Sequence, residues 1–186
     1  TISVSAFLLN RSSDQVVVNI EWIPFISHTN LYVSGAIDAT LAMNYNEYYQ
    51  LIMAGQRLNR NQIIYMRDIG CNVPEDGVYV TREYFTKHKA EIDKFVKASK
   101  RGWEYAISHP KETLDIVMLY MRQAGISGNE DAQKWMLKEC LRLLVSPRTG
   151  KRTYKLEPEG LNQANSILLQ GGEITKPITY KQITEP

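Results

Sequence analysis

Up to Thr81 the chain alternates short runs rich in β-branched residues with amphipathic runs, and from about Arg82 onward its apolar residues recur at helical spacing. That change of period constrains the fold more than any other feature, because a run of period two cannot lie still as a helix, nor the reverse. Ala6 to Arg11 reads as the end of a helix, which Ser12-Ser13-Asp14 breaks before the run Val16-Val17-Val18-Asn19-Ile20. A loop with Pro24 and a turn at Ser34-Gly35 follow. Ala39 to Met43 reads as a short strand ending at Asn44, and a helix from about Asn46 to Ala54 is capped by the asparagine and closed by Gly55. Ile63 to Met66 reads as another strand, and Val78 to Thr81 as renewed extended structure. The order predicts an α/β fold with a mainly helical C-terminal third.

In that helical third, Ile92, Phe95, Val96, Trp103 and Ile107 form one predicted stripe. Pro110 opens a second helix where its missing N–H is harmless, with Leu114, Val117, Met118 and Met121 on its apolar side. A third follows Asn129, with Ala132, Trp135, Met136, Cys140, Leu143 and Leu144 together, and a fourth runs from Pro158 to Gly171-Gly172. Core packing accounts for these stripes, so Trp103 and Trp135 read as core residues. The series Lys87, Lys89, Lys94, Lys97, Lys100 and Arg101 is interrupted by acidic residues and reads as a solvated helix face.

Several classes of function are disfavoured. A formal charge of +2 over 186 residues, with both signs interspersed, gives no field for a polyanion, so nucleic acid is not an expected partner. The longest apolar runs, such as Leu41 to Met43, fall far short of the roughly 20 residues a membrane-spanning helix needs. Cys71 and Cys140 are too far apart for a metal-ligand pair, and His28, His88 and His109 lack HxH or HExxH spacing, so no metal site and no cofactor are expected. A Ser-His-Asp arrangement, a P-loop and a GxGxxG phosphate turn are also missing from the sequence.

Local phrases then point to a family. Gly35-Ala36-Ile37-Asp38-Ala39 followed by Asn46-Glu47, then Pro74-Glu75-Asp76-Gly77-Val78, then Phe95-Val96-Lys97-Ala98 with Arg101-Gly102-Trp103-Glu104-Tyr105-Ala106 and His109-Pro110, occur in order. With the tail Leu156-Glu157-Pro158-Glu159-Gly160, they resemble the ABC-importer solute-binding proteins for nitrate, sulfonates and thiamine or riboflavin precursors. The resemblance runs from about Val16 to Ile183 and implies the C-terminal two-thirds of a type II periplasmic-binding-protein fold. On that reading residues 1–66 are part of the second lobe, 67–77 the hinge crossing and 78–186 the C-terminal half of the first lobe. It also implies a small-molecule ligand, an ABC permease in the membrane as partner, and a periplasmic or membrane-anchored extracytoplasmic location. A further N-terminal segment or a second chain would complete the fold.

The expected site follows from open α/β sheets, where ligands settle beyond the C-terminal ends of strands. Asn44-Tyr45-Asn46-Glu47-Tyr48 occupies such a strand-to-helix junction, with Asp68 and Asn72 in the hinge loop and Trp22 with His28 at the opposite loop as further candidates. Asn46 reads equally as a helix cap and Glu47 as a first-turn carboxylate facing the helix dipole. Nitrate and sulfonate binders resemble one another in a Trp-Glu-Pro type phrase after this strand, and here Trp and Pro are replaced. Two tyrosines, two carboxamides and a carboxylate suit a planar heterocycle with amino and ring-nitrogen groups better than a small anion, so a thiamine-pyrimidine or flavin-like precursor is the expected ligand. Relatives that synthesise the thiamine pyrimidine carry a cysteine-rich stretch that this sequence lacks, so a binding protein is expected rather than an enzyme. The effector domain of a transcription regulator, a nitrate or sulfonate binder and a pyrimidine-precursor synthase-like enzyme are the other readings.

Overall fold

A computed structural model of the chain describes Glu21, Ile23 and residues 29–73, 76–146 and 148–184. Seven α-helices lie among them: α1 (Asn30–Val33), α2 (Glu47–Met53), α3 (Arg82–Ser108), α4 (Pro110–Gln123), α5 (Glu130–Leu143), α6 (Pro158–Gly171) and α7 (Tyr180–Thr184). Short 3-10 turns at Arg60–Gln62 and Met66–Ile69 interrupt the segment between α2 and α3. The chain divides into two compact units. The first comprises residues 1–22, 59–89 and 155–186; the second comprises 23–58 and 90–154.

The helix boundaries follow from the residues that stand at them. Thr81 opens α3, its Oγ1 accepting from the Tyr84 N–H at 3.2 Å. The Asn129 side chain accepts from Ala132 N–H at 2.9 Å and caps α5. Pro110 and Pro158 occupy first-turn positions of α4 and α6, where no intrahelical donor is lost. Gly125 ends α4 with φ of 67°, while Ile126 N–H reaches back to Met121 O at 2.9 Å, a six-to-one closure that favours a residue without Cβ. The helical C-terminal third and the helix from Pro158 to Gly171 agree with the periodicity of the sequence. Inside α3 the backbone leaves the helical region at His88, with φ of −127° and ψ of 23°, and the imidazole stacks on Tyr84 with centroids 4.3 Å apart.

The expected strands require correction. Among the described residues there is no strand, and the sole ladder contact is an isolated antiparallel bridge between Val145 and Arg152. Ala39 to Met43, Ile63 to Tyr65 and Val78 to Thr81 carry no regular structure, and Met66 enters a 3-10 turn. Ile63 and Tyr65 have extended backbone angles, but extension becomes a strand only when a neighbouring segment accepts and donates along it. The strand expected at Val16 to Ile20 lies outside the described residues.

In the second unit, α4 and α5 pack as an antiparallel hairpin, and Gly128 in their connection approaches the Met121 and Met118 side chains so closely that an added Cβ would meet Met121 Cε at 2.8 Å. Leu51, Ala106 and Leu114 are buried there. Four residues expected in stripes are open instead: Phe95 (60% exposed), Trp103 (38%), Val117 and Leu143 (68%). A stripe is buried only where another element lies over it, and at these positions the described residues supply little cover. The lysine series is exposed apart from Lys100, which is partly covered. The unit closes on a turn after α5, where Tyr154 donates to Glu104 at 2.7 Å and Arg152 pairs with the same carboxylate at 3.1 Å. Partial burial, followed by the hydrogen bond to Glu104, raises the Tyr154 phenol above its ordinary pKa.

In the first unit α6 buries Leu161, Asn165 and Ile167. Asn165 clamps the segment before α7, its Nδ2 donating to Ile178 O and its Oδ1 accepting from Ile178 N–H, both at 2.8 Å. Tyr180 then donates to Leu156 O at 2.7 Å, and Gln163 donates to Gly70 O. Removing Asn165 leaves two main-chain groups of Ile178 unpaired in a covered place. Asn165→Ala is therefore expected to destabilise this segment by about 2 kcal/mol, read as a roughly thirty-fold faster amide exchange at Ile178. Exchange within about threefold of the parent would show that the clamp contributes little.

Candidate functional site

The junction from Met43 to Tyr49 is organised first by its own backbone. Met43 O accepts from the N–H groups of Asn46 and Tyr48, both at 3.1 Å, which turns the chain into α2. Glu47 reaches back one turn, its Oε2 accepting from Met43 N–H at 3.0 Å. Asn46 occupies the N-cap position of α2 without a side-chain cap bond. Its Nδ2 instead donates to Glu47 Oε1 at 3.3 Å and its Oδ1 accepts from Gln50 Nε2 at 3.0 Å. Both carboxylate oxygens of Glu47 are thus engaged by the local chain. Tyr45, Asn46, Glu47, Tyr48 and Tyr49 are all partly covered, whereas Asn44 is exposed.

The second wall comes from α5. Trp135 and Glu139 stand one helical turn apart and therefore project from the same face. The Trp135 indole Nε1 donates to Asn44 O at 2.9 Å, and the Asn44 Nδ2 donates to Glu139 Oε2 at 2.8 Å. Asn44 is consequently held through its main chain and its side chain by one helix. Glu139 is 6% exposed, and Arg142, three residues on, donates to Glu139 Oε1 at 3.1 Å. A buried carboxylate with one ion pair and one amide donor satisfies the requirement that such a charge be paired.

Around this polar pair lies an aromatic group. Tyr49 stacks on Trp135 with centroids 5.0 Å apart and planes at 24°, and Tyr48 lies 6.3 Å from Trp135 at 49°. Lys138 Nζ is 6.0 Å from the Trp135 centroid, at the outer limit for cation–π attraction. Flat apolar rings beside a carboxamide and a buried carboxylate can hold a flat ligand by its faces and its polar edge.

The other sequence candidates are placed differently. Asp68, at the Met66–Ile69 turn, is paired with Arg60 and, at 3.5 Å, with Arg67. The two guanidinium carbons lie 4.9 and 4.6 Å from the Tyr65 centroid. Asn72 is exposed in the following loop, and Cys71 beside it is buried, its thiol 3.7 Å from Ile69 O. Asp68 and Asn72 belong to the first unit, whereas Asn44 to Tyr48 belong to the second. Trp22, His28, Pro74 and Glu75 lie outside the described residues.

Sequence reading missed Tyr49, Glu139 and Arg142, and it assigned Trp135 to packing alone. One signal was available: Glu139 interrupts the apolar positions Ala132, Trp135, Met136 and Cys140 of α5, and a charge inside a stripe needs a partner. Among the described residues no three or more His, Cys, Asp or Glu are grouped to hold a metal ion, and no helix is long and apolar enough to cross a membrane.

Comparison with known proteins adds the remaining observation. No curated protein and no solved structure matches the chain. The profile of the family described as NMT1/THI5 like matches residues 12–113, just over half of the sequence. The phrases at Gly35 to Glu47, Pro74 to Val78 and Phe95 to Pro110 all fall inside that stretch, and the one at Leu156 to Gly160 falls beyond it. The chain belongs to the NMT1/THI5-like family, whose members are mostly solute-binding proteins.

Proposed function

We propose that the chain is a solute-binding component of an ABC importer that captures a planar nitrogen heterocycle, a thiamine-pyrimidine or flavin-like precursor, at the Asn44 to Tyr49 junction. Its role is capture rather than chemistry, its location extracytoplasmic, and its partner in the membrane an ABC permease. The observation that carries the reading is the pairing of Tyr49 and Trp135 rings beside the Asn44–Glu139 hydrogen bond. Family membership supports a solute-binding role in general. The ligand class comes from the chemistry of the residues: stacked aromatic faces reward a flat ring, and the carboxamides and carboxylate suit amino and ring-nitrogen groups. A small anion would be better served by converging cations, and at this junction the Arg142 charge is already paired with Glu139.

With this goes an α/β architecture of the type II periplasmic-binding kind, in which residues 1–66 belong to one lobe, 67–77 cross between lobes and 78–186 belong to the other.

Calorimetry with 4-aminopyrimidine, riboflavin, nitrate and taurine separates the ligand classes. Binding of the aminopyrimidine or the flavin is expected, weakened about tenfold or more by Trp135→Ala or Tyr49→Ala, the loss associated with one stacking face. Binding of nitrate or taurine alone, or heterocycle affinity indifferent to both substitutions, would reject the assignment.

A further inference from the structure

We infer that Glu139 is a positioning residue that fixes which end of the Asn44 carboxamide meets a ligand, and so makes the site select a hydrogen-bond donor at that edge. The inference rests on the binding reading of the Asn44 junction. A carboxylate can only accept, so the end of the Asn44 amide that faces Glu139 Oε2 at 2.8 Å must be the NH2 group. The carbonyl Oδ1 is then the end left for a ligand, and it can only accept. Asn44 cannot turn over without placing Oδ1 against the carboxylate.

Three features make the arrangement firm. Glu139 is buried, so its oxygens depend on protein donors. Arg142 donates to Oε1 at 3.1 Å and to Oε2 at 3.3 Å, which keeps the carboxylate turned toward Asn44. Trp135 holds the Asn44 carbonyl of the main chain at 2.9 Å, so the residue cannot escape by shifting its backbone. An unconstrained asparagine serves donors and acceptors alike; this one is committed by a residue that need never touch the ligand. The class of ligand edge it selects is an exocyclic amine, a ring N–H or a hydroxyl.

Glu139→Gln tests this with almost no change of volume. The glutamine Oε1 takes the place facing Arg142, its Nε2 faces Asn44, and the Asn44 amide turns over to present NH2 instead. The full chain and this variant are titrated with 4-aminopyrimidine and with 4-methoxypyrimidine, which differ in whether the group at carbon four donates or only accepts, neither having a ring N–H. The parent is expected to favour the amine by about tenfold, the usual scale for one matched against one mismatched hydrogen bond, and the variant to lose or invert that preference while still binding. The Asn44 side-chain amide signals, assigned by their disappearance in Asn44→Ala, give a second readout that needs no ligand. One proton directed at the carboxylate is expected downfield of a solvent-exposed asparagine in the parent, moving back in Glu139→Gln.

An equal preference in parent and variant overturns the inference, while a loss of both compounds in Asn44→Ala leaves the binding site standing. Failure of both compounds to bind the parent removes the selective role together with the site, and the amide signals then decide whether Glu139 positions Asn44 at all. Should the variant not fold, parent amide signals at exposed-asparagine positions overturn the inference on their own.

Discussion

The grip of α5 on Asn44 is the contact on which the described site depends. Asn44 stands in a segment without regular structure, followed by a helix of seven residues that is too short to be stable alone. What gives that helix a fixed place is the pair of hydrogen bonds from Trp135 and to Glu139, together with the stacking of Tyr49 on the same tryptophan and the burial of Leu51. The bond to Glu139 is the strongest of these. A charge-assisted hydrogen bond is roughly twice as strong as a neutral one, and its loss would leave a carboxylate buried with one fewer donor. Position of the junction and chemistry of the junction therefore come from the same two side chains.

This economy has a consequence for dynamics. The elements that carry the site are α2, the loop before it and one face of α5, and α5 in turn is held by α4 through the closely packed connection at Gly128. Motion of α5 would move the Trp135 ring and the Asn44 carboxamide together rather than separating them. Asp68, by contrast, is tied into a local arrangement with Arg60, Arg67 and Tyr65. Exposed ion pairs of this kind contribute little to stability, and their value lies in fixing the shape of the turn.

The helices were legible in the sequence because their signals are local. Pro110, Asn129, Pro158 and Gly172 act at the positions where they stand, and the apolar spacing between them gives the period directly. The strands were not legible in the same way. Ala39 to Met43 and Val78 to Thr81 have the right composition, but a strand is a relation between two segments, and among the described residues that relation is missing. The candidate site was legible in half. Asn44 to Tyr48 could be found as a polar and aromatic cluster at a junction, whereas Glu139 and Trp135, some ninety positions further on, become site residues only when α5 folds against α2. Trp135 also shows why an apolar stripe is an incomplete reading, since an indole on such a stripe keeps an N–H that needs an acceptor.

Fluorescence of the Trp135 indole tests most directly whether the face formed by Tyr48, Tyr49 and Trp135 receives the proposed planar ligand. With Trp22→Phe and Trp103→Phe in place, Trp135 is the remaining tryptophan of the three. Titration with 4-aminopyrimidine or riboflavin, corrected for absorption by the ligand, should quench its emission saturably, with the same midpoint as calorimetry, because stacking brings the ring against the indole. Saturable binding by calorimetry with Trp135 emission unchanged throughout would place the ligand elsewhere and contradict the account.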